Sequence, residues 1–117
     1  MDLSEIRMKI PGGDRAVVDV RKLRDYCLCE SHPRGRHKAK VFAAALGMGQ
    51  ADAGQLRREL LTAARDGHAK ALRKDQYGRR FVVECKVRGP AGSAVIRSHW
   101  IIREGEDFPK LLTCYVV

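Results

Sequence analysis

The sequence predicts an α+β fold in which helices come first and pack on one face of a roughly four-stranded antiparallel sheet. Three observations carry this. Apolar residues recur at helical spacing up to Gly67, they alternate with polar ones after it, and the later runs are joined by short Gly/Pro turns. Short connections favour an antiparallel meander, and helices segregated from strands favour packing on one sheet face. Residues 1–117 read as one domain, with an irregular segment over 1–15, a helical part over 16–67 and a sheet over 68–117.

Pro11-Gly12-Gly13 marks a turn and Val17-Val18 a short extended piece. Asp19 fits the N-cap of a helix with Val20, Leu23, Cys27 and Leu28 on one side. Pro33 and Gly35 oppose its continuation through Ser31–Gly35. A second helix is predicted over Arg36–Leu46, burying Val41, Phe42, Ala45 and Leu46 and ending at Gly47 and Gly49. A third, capped by Asp52, runs to about Arg65 and buries Leu56, Leu60, Leu61 and Ala64. Arg57, Arg58, Glu59 and Arg65 read as its solvated side. Ala69–Lys74 is a candidate edge strand, and Arg79–Arg88, Ser93–Arg103 and Pro109–Val117 are three longer ones.

Side chains change face at every strand residue. Phe81, Val83, Cys85 and Val87, then Ala94, Ile96, Ser98, Trp100 and Ile102, then Leu112, Cys114 and Val116 form the apolar face. The opposite face then gathers Glu84, Lys86, Arg97, His99, Thr113 and Tyr115, with Leu111 among them. The expected core sets Leu23, Phe42, Leu46, Leu56 and Leu60 against Phe81, Val83, Ile96, Trp100, Cys114 and Val116.

The formal charge of +9 over 117 residues favours a polyanionic partner: RNA, DNA or an anionic surface. The charge is clustered: Ser31–Lys40 holds Arg34, Arg36, Lys38, Lys40, His32 and His37 with no acidic residue among them. A helix start adds backbone N–H donors and the positive dipole end, a suitable place for phosphate. No apolar run approaches the roughly 20 residues that span a bilayer. Met1–Glu5 lacks the plan of a secretory signal, so a cytoplasmic setting is expected. Cys27, Cys29, Cys85 and Cys114 are then expected as free thiols. The C-x-C spacing of Cys27 and Cys29 ahead of His32 and His37 is not that of a zinc knuckle, so no metal or cofactor is expected. P-loop, H-E-x-x-H and G-x-S-x-G patterns are absent, which argues against nucleotide hydrolysis, zinc proteolysis and α/β-hydrolase chemistry.

His32-Pro33-x-Gly35-x-His37-Lys38-Ala39, with Phe42 and Leu46-Gly47, resembles an uncharacterised bacterial domain family. Arg97-Ser98-x-Trp100, Gly105-Glu106-Asp107-x-Pro109 and Leu112–Val116 extend the resemblance over about residues 16–117. That family occurs as small stand-alone proteins and at the C-termini of large toxins and adhesins. The order of elements and the Thr113-Cys114-Tyr115 strand are also distantly similar to the barnase, EndoU, colicin and RelE ribonucleases. This likeness implies metal-independent RNA cleavage on the open sheet face. His37 and His99 are then the candidate proton-transfer residues, with Thr113 and Tyr115 as hydroxyl donors; Tyr115 alternatively stacks on a base. Arg34, Arg36, Lys38 and Arg97 are the candidate phosphate-binding residues. His32 is read as shaping the turn, His68 as a helix-end residue and Trp100 as core. The alternatives are a non-catalytic nucleic-acid-binding module and an interaction protein whose charge serves an acidic antitoxin or immunity protein.

Overall fold

A computed structural model describes residues 8–117. The part of the expected irregular segment over 1–7, and the reading of Met1–Glu5 as no secretory signal, lie outside the described residues. Three helices pack on a four-stranded antiparallel sheet of order β1-β2-β3-β4. The helices are α1 (Val20–Lys22), α2 (Arg36–Leu46) and α3 (Ala53–Asp66). The strands are β1 (Ala69–Ala71), β2 (Gly78–Gly89), β3 (Gly92–Arg103) and β4 (Lys110–Val116). Among the described residues, no helix is long and apolar enough to cross a membrane.

Asp19 does cap α1, its Oδ1 accepting the Arg21 N–H at 3.0 Å. After one turn, however, Leu23–Cys27 widens into a π turn, closed by the Leu28 N–H on the Leu23 carbonyl at 2.8 Å. The wider winding still buries Leu23, Cys27 and Leu28 together. Helix α2 ends where expected. Gly47 takes a left-handed φ of 70°, and the Gly47 and Met48 N–H groups return to Ala43 and Phe42 carbonyls. Its buried side is Ala39, Phe42 and Leu46, whereas Val41 is 45% exposed, a correction to the expected face. Asp52 acts one turn earlier than a helix cap, accepting the Gly49 N–H at 2.9 Å. Leu61 is only partly buried, with Ala53 and Ala63 completing the buried side of α3. Arg57 is not simply solvated, because its Nε donates to the Val18 carbonyl at 3.0 Å.

β1 is shorter than expected, its pairing ending before the charged Arg73-Lys74. Val17 lies parallel beside the start of β4. Within β4 a bulge shifts the register between His99 and Trp100, so that His99 faces Thr113 while Trp100 faces Leu111. Leu112 is the extra residue. The strict alternation therefore breaks, and Leu111, expected on the polar face, is core. From Thr113 onward the expected alternation holds. The expected core residues are all buried, Val116 only partly.

Ser98 makes a polar link inside the core. Trp100 Nε1 donates to Ser98 Oγ at 2.9 Å, and Ser98 Oγ donates to the Val83 carbonyl at 2.9 Å. Ser98→Ala leaves two buried groups without this partner, and about 2 kcal/mol of stability should be lost. Urea unfolding monitored by Trp100 fluorescence checks this, a cost below about 0.5 kcal/mol counting against it.

Candidate nucleic-acid interface

Two rows cross the open sheet face. Val82, His99 and Thr113 are paired in one, and Glu84, Arg97 and Tyr115 in the next. Because β4 is the sheet's edge, no further strand separates it from the start of α2, which packs on β3 and β4. Lys38 uses that opening. Its Nζ donates to Thr113 Oγ1 at 3.1 Å and lies 5.4 Å from the ring centres of both Tyr26 and Tyr115. Arg97 approaches the Tyr115 ring to 6.0 Å while Glu84 Oε1 holds its Nε and one terminal nitrogen at 2.9 and 2.8 Å. His99 Nε2 meets the Tyr115 hydroxyl at 3.0 Å, with the rings stacked at 5.6 Å.

Burial, then the Arg97 and Lys38 cations, hold the His99 imidazole below its ordinary value of 6.5. The ring is accordingly neutral near pH 7, with one nitrogen available to take a proton. His37 is exposed at the first turn of α2. With Lys38, Val41, Tyr115 and Val116 it lines a depression of about 340 Å³. His37 and the Tyr115 side of the sheet cluster thus share one opening.

Arg34, Arg36 and Lys40, on the turn and helix that carry His37, are exposed. The turn before them is organised by His32. Its Nδ1 accepts both the Arg34 and Gly35 N–H groups at 3.0 Å, and its carbonyl accepts that of Arg36 at 3.0 Å. Tyr26 meets the ring edge-on at 4.8 Å. The expectation of free N–H groups at this helix start is therefore corrected at residues 34–36, whose N–H groups are taken up by His32. Gly35 is required by contact, since a Cβ there would lie 2.2 Å from the Tyr26 carbonyl oxygen. His32→Ala should cost about 1–2 kcal/mol in chemical unfolding, with His32→Asn recovering part of it. An unchanged midpoint would refute the capping role.

Below the cluster lie two thiols that the sequence marks only as free cysteines. Cys27 and Cys114 are buried, and their mutual hydrogen bond draws the Cys27 thiol down to about 6, aided by Lys38 and Thr113. The same hydrogen bond and burial push the Cys114 thiol up. His32 Nδ1 is taken by the turn, and among the described residues no three His, Cys, Asp or Glu side chains converge.

The family model of a domain of unknown function, DUF6883, matches residues 9–117. The chain belongs to that family. Among curated proteins, this DUF6883 domain is similar to the D-2 subunit of eukaryotic translation initiation factor 3 from Drosophila grimshawi, 32% identical over 100 residues. The Drosophila virilis counterpart is 33% identical over 98 residues. These matches cover 80% and 79% of this chain, which spans 18% of the length of each relative. Among solved structures, the domain is similar to a chain of the contact-dependent growth inhibition toxin–immunity protein complex from Klebsiella pneumoniae 342. The TM-score is 0.61 at 22% identity, covering 86% of this chain and 99% of that one. That likeness shows a shared fold.

Proposed function

We propose that this DUF6883 domain binds RNA on its open sheet face and cleaves it without a metal. The observation that carries the reading is the meeting of Lys38, Arg97, His99 and Tyr115, drawn from a helix and two strands, with His37 at the rim of the same opening. Cleavage of this kind forms a bond from the 2′-oxygen to phosphorus and breaks the bond from phosphorus to the 5′-oxygen. His99, neutral and joined to the Tyr115 hydroxyl, accepts the 2′ proton directly or through that hydroxyl. Lys38 and Arg97 face the non-bridging oxygens, where charge accumulates. His37, at the rim of the opening, supplies the proton to the departing 5′-oxygen. The products are a 2′,3′-cyclic phosphate and a 5′-hydroxyl.

Two comparisons support the setting. A toxin–immunity complex contains a chain of this fold, and the curated relatives are components of a translation initiation factor. The purified protein incubated with mixed cellular RNA in EDTA tests the proposal. Cleavage with cyclic phosphate ends is expected, and intact RNA at high protein concentration would overturn it. The toxin–immunity neighbour favours a second reading, in which the basic surface around Arg34, Arg36 and Lys40 receives an acidic immunity-type protein.

A further inference from the structure

The depression beside His37 has an apolar lining that phosphate binding does not explain. Val41 and Val116 line it together with Tyr115, His37 and Lys38, and most of the surface they present there is apolar. Val41 lies on the solvent side of a helix whose other exposed residues include Arg36, His37 and Lys40, yet it remains apolar. A phosphate placed against two valines would lose water without gaining donors. A nucleobase has the opposite needs: its faces are apolar and its edge carries hydrogen-bonding groups.

The geometry points to a nucleobase subsite in this depression, so that the substrate is single-stranded RNA with one unstacked base between Val41, Val116 and Tyr115. This deepens the proposed function and rests on it. The surrounding charge identifies the occupant further. Lys38 and the exposed Arg36 and Lys40 attract the phosphate that any such base carries, whereas an apolar peptide side chain brings no matching anion. Volume agrees: about 340 Å³ is ample for one base. Duplex RNA keeps its bases stacked inside the helix and cannot place one here without opening.

The subsite is tested with uridine 3′-monophosphate, adenosine 3′-monophosphate and ribose 5-phosphate as probes. Affinities are measured by titration of backbone amide resonances, which also locate the bound ligand. At least one nucleotide should bind about 10-fold more tightly than ribose 5-phosphate, with shifts centred on residues 41, 115 and 116. Val41→Asn should abolish that preference while leaving ribose 5-phosphate binding unchanged. Val41→Leu should retain it. Equal binding of all three probes, or a preference that survives Val41→Asn, would overturn the subsite. Neither readout depends on turnover. RNA cleavage without base preference sinks the subsite alone, and base preference without cleavage sinks the catalytic reading alone.

Discussion

Replacing His99 by alanine should lower RNA cleavage on the order of 10²–10⁴-fold while the fold is retained. His99 lies on the open face, partly exposed, and the core beneath it is made by Ser98 and Trp100. Its removal leaves the Tyr115 hydroxyl without its stated partner, so Tyr115→Phe is the necessary companion. A shared proton path predicts that the double variant is little worse than His99→Ala, because the two groups then act as one unit. The pH profile gives a second readout. His99 is held below 6.5 by burial and two cations, so the rising limb of cleavage against pH should have its midpoint below 6.5. In stability the sign is the same: a depressed value favours the neutral ring in the fold. The contribution is fully present above 6.5 and is lost as pH falls through the folded value. His99→Gln should flatten that part of the stability profile. Wild-type cleavage in His99→Ala, or an unchanged rising limb, would remove His99 from the chemistry.

The sheet was legible in the sequence because burial on one face forces period-two alternation through Phe81–Val87 and Ala94–Ile102. It misled where one extra residue, Leu112, enters β4 and reverses the parity of Leu111, at Ile101, which is buried although its parity is that of the polar face, and at β1, which stops at Ala71. Alternation has no signal for a bulge until the partner strand is known. The helices were legible from their apolar stripes and glycine stops, but Val41 was not. Apolar character alone cannot distinguish a residue facing the core from one lining a surface depression. Lys38 was picked out by its place in a basic run. Its bond to Thr113, 75 positions away, depends on β4 being an edge strand next to the start of α2, and strand order is a tertiary fact. The pairing of Cys27 with Cys114 escaped for the same reason.

Replacing Arg34, Arg36, Lys38 and Lys40 together by alanine should weaken binding to single-stranded RNA by roughly 100-fold near physiological salt. Arg34, Arg36 and Lys40 are exposed and, among the described residues, belong to none of the ion pairs that occupy other arginines of the chain. Such cations release counterions when RNA arrives, so the loss should appear in the salt dependence as well as in the affinity. For single strands each cation contributes about 0.7 to the slope of log affinity against log salt, and the four replacements should reduce that slope by about 3. Lys38 is separable from the others. Its ammonium is already held by Thr113, so Lys38→Ala alone should impair cleavage more than affinity. Arg34→Ala, Arg36→Ala and Lys40→Ala together should do the reverse. Measuring affinity by fluorescence anisotropy in the His99→Ala background keeps the RNA intact during the titration. An unchanged slope in the fourfold variant would mean that RNA does not use this turn, and the acidic-protein partner would become the leading reading of its charge.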